Sequence, residues 1–364
     1  MSGLTLVFFI LGLVLLVVGA DTLVAGASRI ARRLGISSLV IGLTVVAFGT
    51  SAPELAVSVT GALTGETDLA LGNVVGSNIF NVLFILGLSA VVAPLLVQRQ
   101  LVRLDVPIMI AACGLCWAMA LDGVISRLDG VLLFLGVLVY TTLLIRMARR
   151  ESAAAAASVQ ELPVDGPPHG LRDRIPVQLG MIAAGLAMLV LGSRWLVDGA
   201  IAIAHNLGLS ELIISLTIVA AGTSLPELAT SVLAAYRGQR DIAVGNVVGS
   251  NIFNVLCVLG LSSTIAPQGV AVAPAALGFD IPVMTAVALA CLPLFITGGV
   301  VSRWEGAVFV VYYIAYTVYL VLAAQHHDSV ATYGLAMLWV VLPLTALTVL
   351  VLLLRDLRQR KRSA

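Results

Sequence analysis

Gly49-Thr50-Ser51-Ala52-Pro53-Glu54 puts a carboxylate, two hydroxyls and several loosened carbonyls into one turn of an apolar segment. Proline inside a helix removes one backbone hydrogen bond and crowds the carbonyl four residues back, so Pro53 disturbs the carbonyl of Gly49. Carbonyls freed at membrane depth persist only where a cavity, another helix or an ion satisfies them. Gly222-Thr223-Ser224-Leu225-Pro226-Glu227 assembles the same oxygens a second time. Downstream of each lies a second motif, Gly72-Asn73-x-x-Gly76-Ser77-Asn78-x-x-Asn81 and its copy from Gly245 through Asn246, Gly249, Ser250 and Asn251 to Asn254. Asn78 and Asn81 are three residues apart and Ser77 is four from Asn81, so some of these side chains share a helix face. Gly72 and Gly76, like Gly245 and Gly249, form a small-residue strip that lets helices approach closely. The cluster contains no cysteine or histidine, and such an oxygen-only donor set suits hard cations. Calcium takes about six to eight oxygens, and two glutamates neutralise one divalent ion, which lowers the cost of holding charge in a low dielectric. The same oxygens also suit sodium, and competition for shared ligands would couple the two ions.

The duplication is not confined to the motifs. Leu43–Ala90 and Leu216–Ser263 align without a gap at an offset of 173 residues, with 33 of 48 positions identical. Each copy places one glutamate, Glu54 or Glu227, in an otherwise apolar run. Intramembrane carboxylates are costly and default to function, and the same one recurs here in two proline-interrupted settings.

The surrounding composition fixes the solvent. Hydrophobic residues make up 60% of the 364 and charged residues 11%, against about 25% charged in soluble domains. Mean hydropathy is +1.09. This is a polytopic membrane protein, which excludes a nucleic-acid-binding role and a soluble enzyme. The four cysteines all lie in apolar runs, and the Cys113-x-x-Cys116 pair reads as packing. The N-terminus lacks a basic region and a cleavage site, so its apolar stretch reads as a retained span.

Eleven apolar stretches follow one another, at about 4–27, 38–63, 69–94, 105–121, 128–147, 177–203, 210–236, 242–266, 276–297, 304–323 and 331–354. The fold class is therefore all-α: two five-helix repeats, ten transmembrane helices in all, plus a C-terminal eleventh helix. Residues 1–147 form the first repeat, 148–175 a hydrophilic linker with the run Ala153–Ala157, 176–324 the second repeat, and 325–364 an accessory helix with a basic tail. With the N-terminus outside and the linker and C-terminus cytoplasmic, 18 of the 20 Lys and Arg residues fall inside, as the positive-inside rule requires. Arg127 and Arg194 are the exceptions. Five spans separate equivalent positions, an odd number, so the two halves insert in opposite orientations. Inverted repeats place a substrate site near the midplane between the halves. Asp21, Asp198, Asp105 and Asp280 lie nearer span ends and read as structural or interfacial.

The paired GTSxPEL and GNVxGSNIFN motifs resemble the alpha repeats of the calcium/cation antiporter superfamily, most closely its prokaryotic sodium/calcium exchanger branch. The resemblance covers about 320 residues, from the first span through the tenth. It implies a compact bundle of the second and third helices of each half, with the first and sixth helices sliding across it. It also implies that Glu54 and Glu227 hold a central calcium with the backbone carbonyls of Thr50 and Thr223. Sodium would bind on one flank through Ala47, Ser77 and Ser224, and on the other through Ala220, Ser250 and Ser51. Asn81 and Asn254 would line the middle. An archaeal exchanger and the potassium-dependent relatives carry aspartate at one of these last two positions, whereas both are asparagine here. Proton-coupled members usually carry glutamate where this chain has Gly76 or Gly249.

The expected function is export of calcium against sodium entry by alternating access in the inner or plasma membrane. Calcium and sodium are the transported ions, the lipid bilayer is the surroundings, and no cofactor, nucleic acid or protein partner is implied. The alternatives are a cation/proton antiporter, a cation channel and, least favoured, an intramembrane acid/base enzyme.

Overall fold

A computed structural model describes residues 3–158, 175–206, 218, 220–325, 327 and 329–337. Almost all of it is helix. The first half comprises α1 (Gly3–Leu34), α2 (Ser38–Thr50), α3 (Ala52–Thr64), α4 (Thr67–Val92), α5 (Leu101–Ala120) and α6 (Arg127–Ser158). The second comprises α7 (Ile175–Asn206), α8 (Ala220–Gly222), α9 (Leu225–Tyr236), α10 (Arg240–Ile265), α11 (Ala276–Ile296) and α12 (Arg303–Ala324), with α13 (Ser329–Ala336) beyond. Among the described residues, eight helices are long and apolar enough to cross a membrane, and α2 with α3 makes a ninth span bent by 45°. The stretch expected at 38–63 is therefore two helices. Most of the stretch that would precede α9, and most of the expected eleventh span, lie outside the described residues. Helix α6 runs beyond its apolar segment to Ser158, because Ala153–Ala157 is the strongest of helix-forming sequences.

The two halves are locked along α1 and α7. Gly12 lies opposite Gly192, Gly19 opposite Gly185, and Gly26 opposite Gln178, so moving up one helix moves down the other and the pair is antiparallel. A Cβ at Gly19 would sit 2.9 Å from the Gly185 carbonyl, and one at Gly192 would sit 2.7 Å from that of Gly12. Backbone meets backbone at intervals of seven residues, two helical turns. The internal offset carries the Gly12–Gly192 contact onto Gly185–Gly19, so one interface serves both halves, as a two-fold relation between inverted repeats demands.

Two short antiparallel strand pairs close the ends. β1 (Leu95–Leu96) pairs with β4 (Val300–Val301), and β2 (Val124–Ile125) with β3 (Val270–Ala271). Each joins one half to the other. Asp105 and Asp280 are structural, as their positions implied. Asp105 is wholly buried and accepts from Tyr140 at 3.0 Å and Gln100 at 3.1 Å, and Asp280 accepts from Tyr316 at 2.8 Å. They tie α5 to α6 and α11 to α12.

One asymmetry breaks the two-fold pattern. Helix α1 lies along α9 and is joined to its end by an ion pair, with Arg237 Nη2 2.8 Å from Asp21 Oδ1. At the equivalent place in the other half, α7 touches α2 through Leu186 on Gly49 but stands off from α3. It leaves a groove of about 620 Å³ lined by Phe48, Gly49, Ala52, Leu186, Val190 and Arg194.

Gly19→Val should destabilise the protein by about 1–3 kcal/mol through overpacking. Gly114→Ala, where no described atom lies within 4 Å of the added methyl group, should be neutral or better. Thermal unfolding in detergent checks the pair, and equal midpoints for the two variants would refute the packing argument.

Candidate ion site between the halves

The helix breaks build the site. Ser51 has φ −80° and ψ 8°, and Ser224 has φ −89° and ψ 9°, so each serine interrupts its helix. Proline then sits in the first turn of α3 and of α9, where its missing N–H costs nothing. Pro53 and Pro226 thus start helices. The carbonyl end of α2, carrying Ala47 and Thr50, and the short α8, which begins at Ala220, point into the breaks. Unwound carbonyl ends of this kind coordinate cations in transporters.

Glu54 and Glu227 follow the prolines and are 0% exposed. Each is held by the serine of the opposite half. Ser224 Oγ donates to Glu54 Oε1 at 2.8 Å, and Ser51 Oγ donates to Glu227 Oε1 at 3.0 Å. Ser224 also lies 3.1 Å from Ser77 Oγ. The second oxygen of each carboxylate, Oε2, is buried without a hydrogen-bond partner, as is Ser250 Oγ.

The asparagines form a second symmetric layer. Asn81 Nδ2 donates to Asn251 Oδ1 at 3.0 Å, and Asn254 Nδ2 donates to Asn78 Oδ1 at 3.1 Å. Asn78 and Asn251 each donate to the other's backbone carbonyl at 3.3 Å. Their donors committed, Asn81 and Asn254 keep a free, buried Oδ1. A π-helical turn begins at each, Asn81–Leu86 and Asn254–Leu259, and such turns often mark functional positions. Among the buried oxygens left without a partner are thus one each from Glu54, Glu227, Asn81 and Asn254. An unsatisfied buried acceptor costs about 1–3 kcal/mol, more when charged.

The structure brings Thr50, Ser51, Glu54, Ser77 and Asn81 together with Ser224, Glu227, Ser250 and Asn254 in the interior. The hydroxyls of Thr50 and Thr223 are already used: they donate to Asn246 Oδ1 at 3.0 Å and to Asn73 Oδ1 at 3.3 Å. These bonds fix the orientation of the two threonines, whose backbone carbonyls lie at the helix breaks.

Asn73 and Asn246 have positioning roles that their spacing did not reveal. Asn73 Nδ2 donates to the Glu54 carbonyl at 3.2 Å and to Ser58 Oγ at 2.9 Å, and Asn246 does the same to Glu227 at 3.4 Å and Ser231 at 2.9 Å. Each amide clamps the carboxylate-bearing helix of its own half and receives a threonine from the other. The only signal in the sequence was Ser58 and Ser231, one turn beyond each glutamate. One glycine strip packs closely within the described residues. Gly245 and Gly249 pack on α2, a Cβ at Gly249 falling 2.7 Å from that of Ala47, and the segment that would face Gly72 and Gly76 in the same way lies largely outside the described residues.

Asn246→Leu should cost about 1–3 kcal/mol, because the Thr50 hydroxyl and the Glu227 carbonyl lose a buried partner. Asn246→Asp removes the donor to Glu227 and Ser231 but keeps an acceptor for Thr50, and should cost more by adding a third buried charge. Unfolding midpoints of the two variants test that order.

The sodium/calcium exchanger protein family matches residues 4–146 and 177–322, one segment in each half. The chain is 41% identical over 313 residues to the putative antiporter CaxA of Alkalimonas amylolytica, covering 85% of this chain and 96% of that one. It is 35% identical over 349 residues to the sodium/calcium exchanger MaX1 of Methanosarcina acetivorans, covering 88% and 99%. Among solved structures it resembles the sodium-calcium exchanger NCX_Mj, with a TM-score of 0.73 and 31% identity over 86% of this chain and 97% of that one. On a match that spans both inverted halves and the motifs that meet between them, the chain belongs to the sodium/calcium exchanger protein family.

Proposed function

We propose that this protein is a secondary antiporter exchanging Ca2+ for Na+ by alternating access at one composite site. The observation that carries this reading is the pair of half-satisfied carboxylates. Glu54 and Glu227 each keep one oxygen unbonded in the core, beside two amide oxygens in the same condition. Two negative charges and a shell of neutral oxygens match one Ca2+ in charge and in donor type. In this reading Glu54 and Glu227 hold calcium with the carbonyls of Thr50 and Thr223. Sodium ions use Ala47, Ser77 and Ser224 on one flank and Ala220, Ser250 and Ser51 on the other. Asn81 and Asn254 line the space between. Each bridging serine belongs to a calcium ligand's hydrogen bond and to a sodium site at once, so the two ions compete. The reaction is translocation, with the ions as substrates, and no covalent step is assigned to any residue.

The protein is placed in the inner or plasma membrane, with its N-terminus outside and the linker and C-terminus in the cytoplasm. With that topology α9 is the inner half of its span and α3 the outer half. Helix α1 covers α9, and α7 leaves the flank of α3 uncovered. The conformation is then closed toward the cytoplasm.

Calcium uptake into proteoliposomes loaded with sodium, at equal pH on both sides, should exceed uptake into vesicles loaded with potassium or choline. It should also saturate, which a channel's flux would not do in the same way. Uptake driven by an acidic lumen without sodium would reassign the coupling ion to the proton and leave the two-glutamate site in place. Glu54→Gln and Glu227→Gln each strip one charge from a buried ion site, a change worth about 3–5 kcal/mol. Each should therefore lower calcium affinity by at least about 100-fold, and near-normal exchange in either variant would sink the assignment.

A further inference from the structure

At one end of the molecule the connection between α4 and α5 is stitched to the connection between α11 and α12. β1 pairs with β4 there, and Val97 N donates to Gly299 O at 2.9 Å. Under this stitch lies a cavity of about 420 Å³. Its walls are Val97, Val102, Ile296 and the buried ring of Phe295, and its mouth carries Arg99 and Arg103, four residues apart at the start of α5. Neither guanidinium has a hydrogen-bond or ion-pair partner among the described residues. The opposite end repeats the stitch, with β2 on β3 and Val272 N donating to Gly123 O at 2.9 Å. Counting from the strands, that end has Pro274 and Gly278 in place of the arginines and Asp122 in place of Gly298. The fold therefore makes this corner without basic residues, and the two arginines are an addition at one end only.

A site with an apolar floor and two unpaired cations at its mouth calls for an amphiphile carrying negative charge. A soluble anion would leave Val97, Val102, Ile296 and Phe295 uncovered. A neutral lipid would leave two guanidiniums unanswered. The arginines flank the first turn of a spanning helix, which is the depth of lipid headgroups, where each basic side chain near an anionic leaflet contributes to lipid binding. Guanidinium groups also match phosphate oxygens in geometry. We propose that this cavity binds one anionic glycerophospholipid, its phosphate between Arg99 and Arg103 and an acyl chain on the apolar floor. The site joins the two halves and does not touch the ion site, so it stands apart from the transport reading.

Native mass spectrometry of the full chain in detergent, titrated with phosphatidylglycerol or with phosphatidylcholine of the same acyl chains, tests this. One phosphatidylglycerol should bind about tenfold or more tightly than phosphatidylcholine. Arg99→Gln with Arg103→Gln should abolish that preference. Arg99→Lys with Arg103→Lys, which keeps the charge, should retain part of it. Arg149→Gln with Arg150→Gln removes as much charge elsewhere and should leave it intact. The proposal is overturned if the two lipids bind alike, if the Arg149 and Arg150 substitutions erase the preference equally, or if millimolar inorganic phosphate displaces the lipid.

Discussion

Glu54 and Glu227 sit in the core with no basic side chain among the described residues to neutralise them. Removing an ion from water costs several kcal/mol even after relaxation, and the remainder of the interior is organised to meet that cost. Each glutamate is met by the serine of the opposite half, so neither half is electrostatically complete alone. The serines can reach across only because their helices break at them. The breaks hold because Asn73 and Asn246 grip the helices that follow. The compensation is partial in geometry, with one oxygen on each carboxylate unmet.

Much of this was legible in the chain. The 173-residue repeat, the odd number of spans between its copies and the two glutamates pointed to the inverted halves and to the pair of buried carboxylates, because duplication preserves residue type and spacing. What stayed hidden depends on contacts between segments far apart. Asn73 and Asn246 were visible as motif letters, but their bonds run to residues 15 to 196 positions away. The tyrosine partners of Asp105 and Asp280 lie 35 and 36 residues downstream, on a neighbouring helix. The proline in each motif looked like a mid-helix defect. It proves to be a helix start, and the serine two residues earlier is the break. Local sequence does not say which of two adjacent helix-disturbing residues yields, because the surrounding packing decides.

The repeat also concealed a difference. Nearly identical motifs occupy unequal surroundings, since α1 lies on α9 while α7 stands off from α3. Asp21 and Arg194 occupy equivalent places in the two copies yet carry opposite charges, and of these only Asp21 has an arginine to meet. A pseudo-symmetric sequence can thus encode an unsymmetric resting arrangement through a few exchanged charges at positions outside the conspicuous motifs.

The glycine seam between α1 and α7 carries a mechanical implication. Carbonyls and Cβ atoms interlock across it at less than 3 Å from where a methyl group would stand, so the two helices cannot part or shear independently and behave as a single bar laid across both halves. A bar that rests on one half must lift from the other. Under the alternating access proposed above, the two gates would then share one degree of freedom, like the ends of a seesaw, with no position in which both are raised. Leakage down the gradient would then be suppressed by the packing of the seam itself, without any need for the ions to signal from one side to the other.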